Sequence, residues 1–248
     1  MNLAQTFRHA VGWVFPCVCQ FCGELKAGPD ESFICGRCRS RPKAIQYISE
    51  PICAFCGLPY PGAITTEFVC ANCTELELNF TSARAAAAYS GLVKEVIHRF
   101  KYSRQEWNEN FLASLLIGSA LPILRENPVD IIAPIPLFPK RERARGFNQA
   151  ARLGKRLADA AEIAFEPHLL ERIRDTGPQA SLDRDDRKAN VKGAFRYTGT
   201  ERLAFSRVLL IDDVLTTGLT ASECAGELLK NGAMEARVWT VARGGLNQ

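Results

Sequence analysis

The stretch Val208-Leu209-Leu210-Ile211-Asp212-Asp213-Val214-Leu215-Thr216-Thr217-Gly218-Leu219-Thr220 constrains this chain more than any other. Its opening run, Val208 to Ile211, is apolar without alternation and too short for a helix. That fits a strand buried on both faces of a parallel sheet. Two carboxylates follow at once, and Thr216-Thr217-Gly218 with Thr220 then leads into helical sequence. A strand that empties through a small-residue turn into a helix start can hold a phosphate. Backbone N–H groups there lack intrahelical partners, the helix dipole favours an anion, and threonine hydroxyls add donors. Two acids beside such a site need hydroxyl groups to accept from, or a magnesium ion between acids and phosphates.

Nine of the ten cysteines precede residue 74, which marks residues 1–80 as a separate module and leaves 81–248 for the α/β domain. Met1 to His9 carries Arg8 and His9, and the apolar run Ala10 to Phe15 stops at Pro16. We read neither a signal peptide nor a membrane span there, and expect a reducing cytoplasm, where clustered cysteines bind metal. Four Cys-x-x-Cys pairs are present: Cys19/Cys22, Cys35/Cys38, Cys53/Cys56 and Cys70/Cys73. Each pair aims two thiolates at one point, and two pairs complete a tetrahedral site. The expected arrangement is two structural zinc ions in series, on Cys19, Cys22, Cys35 and Cys38, then on Cys53, Cys56, Cys70 and Cys73. A cross-braced pairing stays open. Four thiolates leave no position for substrate, and metal binding would supply folding energy to a module poor in large apolar side chains. Cys17 competes with Cys19 as a ligand, and the repeated Cys-x-x-Cys-Gly unit favours Cys19. Cys224 falls with Ala221, Ala225 and Leu228 on one helical face, as a core residue.

In the second domain, Ala83 to Tyr89 suits a strand. Leu92 to Lys101 reads as an amphipathic helix with Val93, Val96, Ile97 and Phe100 on its core face and His98 off it. A helix over Phe111 to Leu124 should end or kink near Pro122. Val129 to Ala133 reads as a second buried strand, stopped by Pro134-Ile135-Pro136. Lys140 to Gly146 then places four cations in six residues, Lys140, Arg141, Arg143 and Arg145, in what reads as a basic loop. A helix opened by Phe147-Asn148-Gln149-Ala150 follows, with Ala150, Leu153, Gly154, Leu157 and Ala161 on its core face. Strand, basic loop and helix make a second anion site at the carboxyl edge of a parallel sheet. Arg172 to Phe195 is long and polar, as functional lids are, and Ser181 can cap a short helix carrying Leu182, Asp185, Asp186 and Arg187.

Leu209 to Thr220 resembles the phosphoribosyl pyrophosphate (PRPP) motif of type I phosphoribosyltransferases. The resemblance implies that Asp212 and Asp213 hold the ribose hydroxyls and that Thr216, Thr217, Gly218, Leu219 and Thr220 hold the 5-phosphate, with Val214 and Leu215 in the same PRPP-binding stretch. More of the chain is similar to the ComF family of competence-associated proteins. The residues that carry this are Pro134-Ile135-Pro136, Arg145-Gly146-Phe147-Asn148-Gln149, then Arg174, Thr176, Gln179, Leu182, Arg187, Asn190, Gly193 and Phe195, and the cysteine pairs. The resemblance implies a type I phosphoribosyltransferase-like parallel sheet flanked by helices, preceded by a small cysteine-rich double zinc ribbon. It implies PRPP bound with Mg²⁺. Pro134, Ile135, Pro136, Arg141, Arg143, Arg145, Gly146, Asn148 and Gln149 would form the pyrophosphate loop, and Arg174, Thr176, Gln179, Arg187 and Asn190 a closing hood. Relatives that salvage 6-oxopurines carry an acid where Thr216 stands, so that route is disfavoured and the acceptor of any phosphoribosyl transfer is unnamed. The family's link to DNA uptake and utilisation implies competence proteins as partners. It also supports a second reading, a single-stranded DNA-handling factor that uses PRPP as a ligand. Arg37, Arg39, Arg41 and Lys43 would then serve DNA phosphates. The net charge of +4 is too mild to decide this alone.

Overall fold

A computed structural model describes residues 17–28, 31–60, 62, 64, 66–103, 105–176 and 189–245. Two short helices, α1 (Gly36–Arg39) and α2 (Ala71–Glu75), lie in the cysteine-rich part. Strand β1 (Ser82–Ala88) then enters a five-stranded sheet, followed by α3 (Gly91–Tyr102) and α4 (Glu109–Glu126). Next come β2 (Ile131–Pro134), α5 (Pro139–Arg145), α6 (Gln149–Ala161) and β3 (Ala164–Phe165). A two-stranded ribbon, β4 (Leu170–Arg172) with β5 (Phe195–Tyr197), precedes β6 (Arg207–Leu215), α7 (Leu219–Lys230) and β7 (Glu235–Arg243).

The sheet runs β1-β7-β6-β2-β3 and every pairing in it is parallel. Strand β6 occupies the centre, with Val208 to Ile211 fully buried. Its side chains alternate between two cores, as the period of a strand requires. Leu209 and Ile211 join the core built with α3, α4 and α6, whereas Val208 and Leu210 join the one under α7. The α7 face expected from the sequence, Ala221, Cys224, Ala225 and Leu228, is buried there. Val93, Val96, Ile97 and Phe100 of α3 are fully buried, and His98 is exposed and packs on Tyr102.

Three local features differ from the sequence reading. Helix α4 does not end at Pro122 but runs on to Glu126. Buried Leu124 anchors the last turn, and Asn127 N–H closes it on Ile123 O at 2.8 Å. The basic run at 139–145 is a helix rather than a loop. Pro139 opens it and Gly146 N–H closes it on Glu142 O at 2.7 Å, the Pro-first, Gly-last arrangement that punctuates helices. The 172–195 segment leaves and rejoins the fold through the β4–β5 ribbon, in register Leu170↔Tyr197. Ser181, Leu182, Asp185 and Asp186 lie outside the described residues.

The cysteine-rich part is not detached from the sheet. Cys19, Cys35 and Cys38 belong to the same apolar core as α3 and α4, and Arg99 donates to Gln20 O at 2.6 Å while stacking on Phe21. Farther on, Ala83 N–H donates to Phe55 O at 2.5 Å across the start of β1. No helix among the described residues is long and apolar enough to cross a membrane.

Candidate functional site

The eight thiols expected to bind zinc form two clusters, Cys19/Cys22/Cys35/Cys38 and Cys53/Cys56/Cys70/Cys73, with each cluster's sulfurs within 4.8 Å of one another. The pairing is therefore serial and not cross-braced, and Cys17 belongs to neither cluster. A zinc tetrahedron with metal–sulfur arms of ~2.3 Å has sulfur–sulfur edges of about 3.8 Å. Cys19–Cys38 at 3.7 Å, Cys22–Cys35 at 3.8 Å and Cys56–Cys70 at 3.6 Å match that shape. The knuckles repeat in detail. Cys35 N–H donates to Cys19 Sγ at 3.4 Å, and Cys70 N–H donates to Cys53 Sγ at the same distance. In the first cluster burial raises the Cys19 thiol, but hydrogen bonds from Cys35, Cys22 and Phe21 outweigh it and bring it to about 6. In the second, a hydrogen bond from Cys73 and the nearby Arg243 charge bring Cys56 to about 4 against the cost of burial. Zinc takes its cysteines as thiolates, and the sulfur–sulfur geometry of both donor sets fits Zn²⁺.

The acid pair lies in the last residues of β6, just before Val214 and Leu215, near the carboxyl edge of the sheet. Gly218 follows with φ of 84°, a left-handed turn into α7 that a side chain would strain, and an added Cβ would also meet the Phe80 ring at 3.3 Å. Asp212, Asp213, Val214, Thr216 and Thr220 line an open pocket of about 360 Å³. Across it stand Ile135 and Pro136 after β2, Arg141 and Arg145 on α5, and Gln149 at the start of α6. Ten residues expected at the site thus meet in one place, although they come from stretches some 60 residues apart or more.

Others have different surroundings. Leu215, Thr217, Gly218 and Leu219 shape the turn behind the lining, and Pro134 pairs with Ile211 in the sheet. Arg143 is exposed on α5. Asn148 caps α6 by accepting from Ala150 N–H at 3.0 Å and donates to Ile135 O at 3.1 Å, which holds the β2–α5 connection to the helix that follows Gly146. Arg174, after β4, is tied to the stretch before β5 by donating to Asn190 O at 3.0 Å and Lys192 O at 2.7 Å. The Thr176 carbonyl accepts from Arg141. Gln179 and Arg187 lie outside the described residues.

Five further lining residues had not been singled out as site residues: Tyr89, Lys101, Tyr102, Leu137 and Arg172. Lys101 Nζ forms an ion pair with Asp213 Oδ2 at 2.6 Å. Burial pulls the Lys101 ammonium down, but Asp213 and Asp212 more than offset it and the group ends above its ordinary value. Burial and then the Asp213 charge push Asp212 up to about 8. Arg172, nearly buried over the Phe195 ring, is lowered by burial first and by Arg141 second. Gln149 Nε2 and Arg172 Nε are buried without a hydrogen-bond partner. Orphaned donors cost about 1–3 kcal/mol each, so two of them beside one pocket point to a ligand that accepts.

Sheet, pocket and knuckles together define an α/β protein, a parallel five-stranded sheet flanked by helices with a pocket at its carboxyl edge, that carries two Cys₄ clusters. Residues 10–74 match the family described as "Double zinc ribbon domain". Competence protein F of Haemophilus influenzae is 31% identical over 85% of this chain and 90% of its own. The DNA utilization protein YhgH of Escherichia coli is 31% identical over 77% of this chain and 84% of its own. The chain belongs to the ComF family, that of Competence protein F and its relatives. Competence protein ComFC of Bacillus subtilis is 28% identical over 82% of this chain and 80% of its own. Among solved structures, a purine phosphoribosyltransferase from Pyrococcus horikoshii aligns with 55% of this chain and 75% of its own, at 19% identity and a TM-score of 0.36.

Proposed function

We propose that the pocket binds PRPP with Mg²⁺, and that the protein serves DNA uptake or utilisation from the cytoplasm. Residues 1–80 would act as the zinc module and 81–248 as the PRPP-binding domain. The observation that carries this reading is the set of complementary groups facing one 360 Å³ pocket: two acids, the hydroxyl residues Thr216 and Thr220, two arginines and the unpartnered Gln149 and Arg172 donors. Asp212 and Asp213 accept from the ribose hydroxyls. The turn at 216–220 takes the 5-phosphate on a helix start. Arg141, Arg145, Arg172 and Gln149 face the pyrophosphate, where guanidinium groups form short charge-assisted bonds. Mg²⁺, held with the ligand, would supply positive charge against the leaving pyrophosphate. Transfer of the phosphoribosyl group to an acceptor follows from the same groups by positioning and charge stabilisation. Thr216 offers no carboxylate base, so the acceptor must bring its own nucleophile or be activated elsewhere.

A second reading, handling of single-stranded DNA with PRPP as a ligand, draws on the printed names of the relatives and on the pocket rim. There the exposed Tyr102 ring lies 5.3 Å from the Arg145 guanidinium, a stacking platform beside a cation. In the basic run, Arg37 pairs with Glu24 and Arg39 donates to Ile34 O and stacks on Phe111, which leaves Arg41 and Lys43 as its candidate phosphate contacts. Calorimetric titration with PRPP, ribose 5-phosphate and pyrophosphate in Mg²⁺ tests the first reading. One-to-one PRPP binding tighter than either fragment is expected, and silence towards all three at millimolar ligand contradicts it. Affinity for an oligonucleotide that falls steeply with salt supports the second, and salt-independent binding overturns it.

A further inference from the structure

Arg243 is the last residue of β7 and is almost fully buried, 3% exposed. Its guanidinium reaches two places that are far apart in sequence. On one side Nε donates to Cys56 O at 3.2 Å and Nη2 to Cys56 Sγ at 3.4 Å. On the other, Nη1 donates to Leu215 O at 3.1 Å, to Gly244 O at 2.6 Å and to Thr216 O. One planar fork therefore spans from a sulfur of the second cysteine cluster to the backbone of the 216–218 turn.

The cluster also touches the turn by a second route. Helix α2 is N-capped by Cys70 and carries Cys73, and its Asn72 Nδ2 donates to Thr217 O at 3.5 Å. Three successive carbonyls, Leu215, Thr216 and Thr217, are thus held from the side of the cluster. In a trans peptide C=O and N–H point in opposite directions. Each carbonyl drawn towards the cluster turns the next N–H away from it, which is the direction an anion must approach from.

Charge supports the same link. A buried guanidinium keeps its proton and needs a counter-charge. The four thiolates of a Cys₄ site outweigh a divalent ion by two charges, and the Cys56 sulfur is the anionic group in contact with Arg243. Close packing fixes the distance. Gly57, directly after Cys56, sits at φ of 64° and an added Cβ would lie 2.7 Å from Ala83 O.

We propose that Arg243 is a positioning residue that couples the second cysteine cluster to the 5-phosphate turn, so that metal at Cys53, Cys56, Cys70 and Cys73 sets the affinity of the pocket for the phosphate end of its ligand. The proposal rests on the PRPP reading above and adds a regulator to it. The coupling is reciprocal: the ligand must tighten metal binding at this cluster and leave the first cluster unaffected.

The test uses the full chain with both clusters metal-loaded. Zinc affinity is measured by chelator competition with and without PRPP·Mg²⁺, and the cobalt-substituted protein is titrated with PRPP·Mg²⁺ while its thiolate–cobalt band is followed. In the native protein, PRPP is expected to raise zinc affinity about tenfold at one of the two sites and to shift the cobalt band with the calorimetric Kd. Arg243→Gln is expected to bind PRPP about tenfold more weakly and to lose the effect of PRPP on zinc. Arg243→Lys keeps the charge without the fork and should retain two zinc ions while failing to restore the coupling. If Arg243→Gln does not fold, the cobalt titration of the native protein decides. PRPP that binds by calorimetry without changing zinc affinity or the cobalt band overturns the coupling and leaves the PRPP reading standing. A native protein that does not bind PRPP overturns both.

Discussion

Lys101 Nζ lies 2.6 Å from Asp213 Oδ2, and both side chains are largely buried, so the acid pair at the end of β6 is already met by a cation from α3. The helix that packs Val93, Val96, Ile97 and Phe100 into the core thus delivers its penultimate residue to the ligand pocket. Folding of α3 and electrostatics of the site are one event.

Removal of the lysine leaves Asp213 buried and uncompensated. Lys101→Met is expected to lower stability by about 3 kcal/mol at neutral pH, measured by urea unfolding. Adding Asp213→Asn should recover part of that loss. A Lys101→Met protein as stable as the native one contradicts the pair.

Asp212 sets a pH dependence. Its folded pKa of about 8 lies above the unfolded value of about 3.9, because burial and Asp213 disfavour its charge. Stability from such a group is intact below the unfolded value and is lost as pH rises towards the folded one. Asp212→Asn cannot ionise and escapes that loss. Its Tm should exceed the native Tm at pH 8, and the two should converge towards pH 4. Parallel melting curves across that range would count against the assignment.

Gln149 separates folding from binding. Its Nε2 is buried without a partner, so Gln149→Leu removes an unsatisfied donor and should be neutral or stabilising by up to about 1 kcal/mol. The same change should weaken PRPP binding by about tenfold, as loss of one charge-assisted bond does. A destabilised variant with native affinity would show that Gln149 serves the fold alone.

Metal content tests the cysteine assignments. The native chain should carry two zinc ions and Cys35→Ser one. Because Cys19, Cys35 and Cys38 share a core with α3 and α4, that variant should melt at lower temperature in one transition, with the sheet affected too. Retention of two zinc ions by Cys35→Ser would overturn the ligand set.

What the sequence disclosed depended on how local each signal was. The acid pair, the turn and the Cys-x-x-Cys knuckles are contiguous, and their chemistry can be recognised before anything folds. Lys101 and Arg172 are ordinary cations by residue type, and it is the fold that brings them to one pocket with the acid pair. Helix α5 is legible in Pro139 and Gly146, the residues that start and stop it, although four cations between them also suit a solvated loop. The three-residue strands β4 and β5 carry too little periodicity to be seen. Helix α4 continues past Pro122 because burial of the following turn outweighs one missing hydrogen bond.

The most direct test of the central claim is PRPP·Mg²⁺ calorimetry on the native chain and on Asp212→Asn/Asp213→Asn, with zinc content matched. The account predicts one-to-one binding by the native protein and none by the double variant, which keeps its fold and both zinc ions. Equal affinity in the two proteins would contradict it.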